Sequence, residues 1–320
     1  GLSMTQIDKS RFEWIGSDSA RREGISRPST TFWKDAIGRL MKNKVAVVCF
    51  FIIVLLILSC IIVPFFSPFE SREQHLGEVN KGFMTVCTDS RYEGQHHVHY
   101  FGTDNLGRDL FLRAFEGGRV SLMIAFAAVF VNLIVGLIYG GISGYIGGAV
   151  DTIMMRIVEI VNGIPYLIVV ILLMMVLPKG IFTMVVAYGI AGWFGMARLV
   201  RGQVLQLKSQ EYIVAAEAMG AKSSRIIAKH LIPNALSVII INVTLAIPSA
   251  IFTEAFLSYI GLGVPVPQPS WGVLAKGGQD VFMTYPYQLV VPAVAISLTM
   301  LSFNLLGDGL RDAFDPRLRR

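Results

Sequence analysis

The chain has 320 residues, of which 53% are hydrophobic and 16% are charged, and its formal net charge at pH 7 is +6. Soluble domains carry about a quarter charged residues, so this composition excludes an ordinary soluble protein and predicts an all-α integral membrane protein. The basic excess follows from the membrane topology argued below, so it does not indicate a nucleic-acid-binding protein.

The N-terminal segment precedes the first long apolar run. Residues 1–31 are polar, with scattered Ser, Gly and Pro and no apolar period, which predicts a cytoplasmic tail. Apolar residues then recur at helical spacing between 32 and 41, with charged residues among them, and this pattern favours a helix lying in the membrane interface. A helical extension of the first span is the alternative. Residues 1–44 are therefore predicted to form a cytoplasmic tail and an interfacial helix.

Six apolar runs predict six transmembrane helices. The first, 45–66, contains no charged residue and would be roughly 33 Å long as a helix, which matches a hydrocarbon core of about 30 Å. It is too long, and begins too far along the chain, for a cleaved signal peptide. The other predicted spans are 119–141, 153–177, 181–200, 236–258 and 288–307.

Basic residues orient these spans, because loops rich in Lys and Arg stay in the cytoplasm. The tail 1–44, the segment 198–233 and the residues after 308 lie on one side, and they carry nine, six and four of the 28 Lys and Arg residues. Both termini are therefore predicted to be cytoplasmic. The predicted division is an extracytoplasmic loop at 67–118, a five-helix core at 119–307 with a cytoplasmic coupling loop at 201–233, and a C-terminal tail at 308–320.

A polar segment separates the fourth and fifth predicted spans. It contains an Ala-Ala pair at 215–216, Gly220 four residues later, and Pro233 further on. This spacing resembles the loop with which permeases of ABC importers dock a cytoplasmic ATPase. Val214 replaces the usual Glu of that motif, so an ATPase contact through that Glu does not carry over to this chain.

The same segment is predicted to form a short helix at the membrane face. Good helix formers precede Gly220, and glycine suits the end of a helix. An apolar ridge on this helix would enter a groove on the partner, and in the resembled family the helix passes ATPase closure and opening to the spans. The resemblance implies that the ATPase-coupling residues are Glu211, Tyr212, Ala215, Ala216, Met219, Gly220 and Lys222.

A second motif, FGTDNLGRD at 101–109, precedes the second predicted span. Its Asp, Asn and Gly residues suit a tight turn. Together with 119–122, it is similar to a signature of the oligopeptide, dipeptide and nickel branch of these permeases, and an unrelated turn is the alternative. The signature residues are Gly102, Thr103, Asp104, Gly107, Arg108 and Asp109.

Glycine recurs every four residues within the second predicted span, and these glycines share one helix face. Small residues let helix backbones approach closely in lipid, so this face is predicted to pack against another helix. A dinucleotide-binding loop is excluded because no strand precedes the glycines and their spacing differs from that motif. The helix-packing residues are Gly136, Gly140, Gly144 and Gly148.

Polar residues inside the spans are candidates for the translocation pathway, because a charge at the bilayer centre costs at least about 2.5 kcal/mol and usually faces a cavity or a partner. Asn162, Asn242 and Glu254 are assigned this role, with structural hydrogen bonding between helices as the alternative. Arg156 and Glu159 are three residues apart and are predicted to form a salt bridge near the cytoplasmic end of their span.

Catalytic and metal-binding residues are not predicted. His96, His97 and His99 are close in sequence, but they lack a fourth ligand and are assigned to a solvated loop. The three cysteines do not indicate a disulfide framework, since Cys49 and Cys60 lie in the first span and Cys87 stands alone in the outer loop.

The resemblance implies a type I ABC-importer permease fold, most like the smaller, C-type permease subunit of an oligopeptide importer in the bacterial cytoplasmic (inner) membrane. It implies as partners a second homologous permease, one or two cytoplasmic ATPase subunits that carry ATP and Mg, and an extracytoplasmic peptide-binding protein. The chain itself has no nucleotide-binding or catalytic motif, so no cofactor and no enzyme activity are expected. Dipeptides, nickel and antimicrobial peptides are alternative cargoes, and a secondary transporter or a membrane enzyme are the alternatives from other classes.

Overall fold

The structure, a computed structural model, describes residues 32–89, 97–211, 213, 218–220, 223–227 and 231–314. Helices dominate this part of the chain, and the prediction of an all-α membrane protein is confirmed. The helices are α1 Phe32–Lys42, α2 Lys44–Phe66, α3 Leu110–Ile146, α4 Gly148–Asn162, α5 Tyr166–Val176, α6 Ile181–Gly192, α7 Phe194–Lys208, α8 Ser223–Ile226, α9 Ile232–Tyr259, α10 Trp271–Asp280 and α11 Tyr287–Phe314.

Four of these helices, α2, α3, α9 and α11, are each long and apolar enough to cross a membrane. Two bent pairs, α4 with α5 and α6 with α7, bring the number of spans to six when each pair is counted as one. The third and fourth predicted spans are therefore not continuous helices.

The two breaks have local causes. The axes of α4 and α5 differ by 78°, and Pro165 stands at the junction, where its ring disfavours helical backbone at Ile164. The axes of α6 and α7 differ by 45° at Trp193, whose ring lies 4.6 Å from that of Tyr139 and 4.4 Å from that of Phe194.

The helix that contains the second predicted span, 119–141, begins at Leu110. Asp109 caps this helix, because its Oδ2 accepts a 2.7 Å hydrogen bond from the backbone N–H of Leu112 and satisfies a donor that the first turn leaves free. The last residues of the predicted extracytoplasmic loop 67–118 are therefore helical, and the non-helical part ends at Asp109. We call residues 67–109 the cap.

The cap contains little regular structure. A 3₁₀ turn covers Leu76–Glu78, and two short antiparallel strands, β1 Thr85–Val86 and β2 Val98–His99, pair in the register Thr85 to His99. The cap contacts α3, which follows it in the chain, and the start of α11.

The three largest buried apolar clusters join most of the helices. The first joins α2, α3, α9, α10 and α11 around the buried Trp271, and the second joins α3 to α5 and α6. The third lies where α7 and α9 meet the polar segment between them. Many large apolar side chains on the outer helix surfaces stay exposed, as expected of a chain that faces lipid.

Helix α1 covers the segment predicted to lie in the membrane interface. The ring of Trp33 on α1 packs edge-on against that of Phe314 at the end of α11, with centroids 5.6 Å apart. The placement of α1 in the interface itself stays a prediction.

Candidate functional site

The coupling segment, residues 201–233, is anchored to the spans by buried apolar side chains. Ile213 and Ile226 are completely buried. They pack with residues of α7 and α9, among which Val200, Val204 and Ile239 are buried too. The described parts of the coupling segment are therefore attached to the helices on both of its flanks.

The tip of the segment faces outward. Glu211, Met219 and Gly220 are exposed, and the exposed fraction of Met219 is 82%. Gly220 has φ +79°, a left-handed conformation that glycine adopts without strain, in keeping with the predicted helix stop. The other predicted coupling residues lie outside the described residues, namely Tyr212, Ala215, Ala216 and Lys222.

An ion pair connects the start of the coupling segment to α4. The guanidinium of Arg201, on α7, donates to both carboxylate oxygens of Asp151, on α4, at 2.5 Å each. The hydroxyl of Ser143, on α3, donates to the same carboxylate at 2.6 Å. Three helices thus meet at one carboxylate, in the two-pronged geometry that makes an Arg–carboxylate pair strong.

A second cation strengthens the same junction. The ammonium of Lys208, the last residue of α7, donates to the carbonyl oxygen of Tyr145 at 2.7 Å and lies 5.1 Å from the centroid of the Tyr145 ring. Since the last carbonyls of a helix lack partners within the helix, this contact caps the C-terminal end of α3.

Three of the four glycines predicted to pack against another helix lie against α7. A Cβ at Gly136 would meet Met196, one at Gly140 would meet the backbone of Ala197, and one at Gly144 would meet the Arg201 carbonyl. The prediction is wrong for Gly148, where a Cβ would meet nothing within 4 Å. Gly148 has φ +56° and forms the turn after α3, so it does not lie on the helix face of the other three.

The predicted pathway residues are in three different environments. Glu254 is completely buried between α9, α3 and α10, where it accepts a 2.7 Å hydrogen bond from Ser258 and lies beside Ser121 and Ser270. The side chain of Glu254 is enclosed by its own subunit in this conformation, which fits the alternative of structural hydrogen bonding, and its assignment to the pathway stays a prediction.

The two asparagines are more accessible than Glu254. Asn162, at the end of α4, is exposed and lies 3.5 Å from Arg198, and the half-buried Asn242 donates to the Val238 carbonyl within its own helix. Arg156 and Glu159 form the predicted ion pair at 2.8 Å, on an exposed face of α4.

The signature residues close the cap as a tight turn. Asp104 accepts hydrogen bonds through Oδ1 from the N–H groups of Leu106 and Arg108, at 2.9 and 3.0 Å, and through Oδ2 from Arg108 Nε at 2.7 Å. Gly107 has φ +73°, and a Cβ there would collide with the carbonyl group of His75. The glycine is needed because the turn lies directly on the backbone of the cap.

Thr103 and Tyr287 join the signature to the last span. The buried Thr103 hydroxyl donates to the Glu78 carbonyl and accepts from the N–H of Lys81 at 2.9 Å. The hydroxyl of Tyr287, the first residue of α11, lies 2.7 Å from the Lys81 carbonyl and 2.9 Å from that of Thr103. The signature therefore links the cap to both α3 and α11.

His99 is enclosed by two carboxylates. Its Nδ1 lies 2.7 Å from Asp109 Oδ1, its Nε2 lies 3.0 Å from Glu78 Oε2, and its side chain is completely buried. Burial opposes the charged imidazole, but the hydrogen bonds to Asp109 and Glu78 outweigh burial and raise the pKa of His99. The expectation of a solvated loop is wrong for His99, because the strand pairing turns it inward. His96 lies outside the described residues.

Several of these contacts join residues that no sequence pattern connects. Asp151 and Arg201 are 50 positions apart, and no local period connects them. The available signal was an isolated acidic residue in an apolar region, which must find a partner when it is partly buried. Helix α10 was also missed, since its ten residues are too few and too polar to stand out beside the spans.

Comparisons with known proteins identify the family of the chain. Residues 132–320 match the family described as "Binding-protein-dependent transport system inner membrane component", and residues 31–82 match the "N-terminal TM domain of oligopeptide transport permease C". The chain is 48% identical over 317 residues to the oligopeptide transport system permease protein OppC of Bacillus subtilis, covering 99% of this chain and 100% of that protein.

The chain is similar to two further proteins. The chain is 47% identical to the dipeptide transport system permease protein DppC of Bacillus subtilis, over 93% of this chain and 90% of that protein. Among solved structures, an inward-facing MetNI methionine ABC transporter matches 63% of this chain and 94% of its own chain, with a TM-score of 0.47 and 19% identity. From the family match and the identity over nearly its whole length, the chain belongs to the binding-protein-dependent transport system inner membrane components, the permeases of ABC importers.

Proposed function

We propose that this chain forms half of the translocation pathway for oligopeptides and docks a cytoplasmic ATPase through its coupling segment. The docking proposal rests on one observation, namely that the tip of the coupling segment is exposed while residues on both sides of the tip are buried. Met219 is exposed, although it is apolar, while Ile213 and Ile226 on either side of it in sequence are buried. An exposed apolar side chain on such a base suits insertion into a groove of a partner.

The part of the coupling segment that packs on the spans can transmit a movement of the ATPase to them. Arg201 connects it to α4 through Asp151, and the close packing at Gly140 and Gly144 connects α7 to α3. Because backbones at these contacts touch without intervening flexible side chains, α3 and α7 move as one body. The chain supplies no nucleotide chemistry in this proposal, and ATP with Mg is bound and hydrolysed by the partner subunits.

Oligopeptides are the proposed cargo because the relative with 48% identity and full coverage is named an oligopeptide permease. Dipeptides are the second candidate, favoured by the 47% identity to a dipeptide permease. A second homologous permease and an extracytoplasmic peptide-binding protein complete the proposed assembly, with both termini of this chain in the cytoplasm.

The docking proposal is tested by placing a charge at the tip. We expect Met219→Asp to lose co-purification with the ATPase subunit and ATP-dependent peptide uptake in reconstituted vesicles, because a carboxylate in an apolar groove is not solvated. The matched control is Met283→Asp, since Met283 is 96% exposed and follows α10, on the side of the cap. Normal ATPase binding and uptake in Met219→Asp would refute the placement of the docking site.

The cargo and the orientation have separate measurements. Uptake of a panel of peptides of differing length distinguishes the two cargoes, and transport restricted to dipeptides would overturn the oligopeptide assignment.

In intact cells, a membrane-impermeant thiol reagent should label Met283→Cys and spare Met219→Cys, whereas the reverse pattern would invert the topology. The native Cys49, Cys60 and Cys87 are buried, so the background of this assay is low.

A further inference from the structure

The cap holds a group of potential metal ligands that the transport mechanism does not use. His75, Glu78 and Cys87 each offer one ligand atom, and these atoms all lie within 4.8 Å of one another. All three side chains are buried, with exposed fractions of 1%, 2% and 7%. A tetrahedral metal ion needs its ligands slightly closer than this, so small side-chain rotations would close the site.

The local backbone brings two of the ligands together. His75 immediately precedes the 3₁₀ turn Leu76–Glu78, and the N–H of Glu78 donates to the His75 carbonyl at 2.8 Å. With three residues per turn, side chains at positions i and i+3 point the same way. His75 is held further by its own N–H, which donates to the carbonyl of Gly107 in the signature turn at 3.3 Å.

The third ligand comes from the strand pair. Cys87 follows β1, and its N–H donates to the His97 carbonyl at 2.8 Å, so its position is set by the pairing of β1 with β2. Phe69 and Leu112 pack against Cys87 and keep this side of the group apolar. An imidazole nitrogen, a carboxylate oxygen and a thiolate sulfur are the ligand types that zinc prefers.

The surroundings of the ligands are those of a metal site. Asp89 Oδ2 lies 2.9 Å from His75 Nδ1, and an outer carboxylate of this kind orients a metal-binding His. His75 Nε2, which lies 3.9 Å from Glu73 Oε2, would be the ligand atom. The carboxylate of Glu78 is positioned by the Thr88 hydroxyl at 2.9 Å and by His99 Nε2 at 3.0 Å.

We propose that His75, Glu78 and Cys87 bind one Zn²⁺ ion in the cap, with a water molecule in the fourth position. The thiol proton leaves to solvent when the ion binds, because the thiolate is the ligand. The ion would join the 3₁₀ turn to the strand pair. Through Glu78, His99 and Asp109, it would also reinforce the start of α3, so the role of the site is to hold the cap in one shape above the spans.

The experiment uses the full chain, purified in detergent, stripped with a chelator and then equilibrated with Zn²⁺. Elemental analysis after gel filtration should find close to one zinc per chain. We expect Cys87→Ser and His75→Gln to lose this zinc. The matched control is Cys60→Ser, which removes another buried cysteine, in α2, and should leave the zinc content unchanged. Asp89→Asn should weaken zinc binding about 10- to 100-fold, as expected for an outer carboxylate.

A second measurement needs no variant and therefore does not depend on how well a variant folds. Co²⁺ in place of Zn²⁺ should produce the ultraviolet absorption of a cobalt–thiolate bond in the wild-type chain. Absence of this band, or zinc content near zero in the wild-type chain, would overturn the proposal. The group would then be explained by the hydrogen bond between the Cys87 thiol and the Glu78 carboxylate. Zinc retained equally by Cys87→Ser and His75→Gln would also overturn it, as binding elsewhere on the surface.

Discussion

Arg201 and Asp151 face each other across α7 and α4 so that both carboxylate oxygens are bound by one guanidinium. This pair stands at the first residue of the coupling segment. The side chain of Asp151 is mostly buried, whereas that of Arg201 is 34% exposed, so water screens part of the attraction. The relationship matters because any movement of the coupling segment must either carry α4 with it or break this contact.

Asp151→Asn should uncouple the chain without unfolding it. The variant keeps the shape of the side chain but removes the charge that Arg201 binds, and we expect a loss of about 1 kcal/mol of stability after screening. ATP-dependent peptide uptake by the reconstituted importer should fall more than ATP hydrolysis does. The control is Glu159→Gln, which breaks the exposed pair with Arg156 and should change neither rate. Equal behaviour of the two variants would contradict the proposed link.

Gly140→Ala should destabilise the contact between α3 and α7. The added methyl group would meet the backbone of Ala197 and the Arg201 nitrogen, which cannot rotate away as a side chain could. Overpacking of this kind costs about 1–3 kcal/mol, and thermal unfolding of the purified chain in detergent would measure it. Gly195→Ala is the control, because Gly195 is an exposed helical glycine whose Cβ would meet nothing within 4 Å. An unchanged unfolding temperature in Gly140→Ala would refute the tight approach of the two helices.

Tyr287→Phe should loosen the cap. The change removes the hydroxyl that bonds the carbonyls of Lys81 and Thr103 and leaves those groups without this donor, at a cost of about 0.5–1.5 kcal/mol. Limited proteolysis of the cap should become faster, and thermal stability should fall slightly. Tyr285→Phe removes a neighbouring phenol hydroxyl and serves as the control. Faster proteolysis in Tyr285→Phe alone would show that the contact of Tyr287 with the cap is unimportant.

Glu254→Gln should retain ATP-dependent peptide uptake. The carboxyl is enclosed by Ser121, Ser258 and Ser270, and the amide of Gln has the same shape and still accepts from Ser258. Glu254→Ala should instead lower thermal stability, because it leaves a cavity among hydroxyl groups. Abolished uptake in a Glu254→Gln variant of normal stability would support the assignment of Glu254 to the translocation pathway.

Features that depend on residues close in sequence could be predicted, whereas contacts between distant residues could not. The cap signature was recognised from contiguous residues, and its turn geometry follows from Asp104 and Gly107 alone. The glycine face was predicted from its four-residue spacing. Gly148 has this spacing but does not pack against another helix. The four-residue spacing places glycines on one face only while the chain is helical. The helix ends at Ile146, so the spacing no longer predicts packing at Gly148.

The amino-acid sequence by itself determined that the chain spans a membrane, and it determined the family, because apolar length and contiguous motifs are properties of the chain read in order. Only the tertiary structure decided that Glu254 is enclosed, that Arg201 binds Asp151, and that a histidine, a glutamate and a cysteine meet in the cap. These are contacts between residues far apart in sequence. They depend on where helices bend and how strands pair, and such positions are set by the packing of the whole molecule rather than by any local pattern.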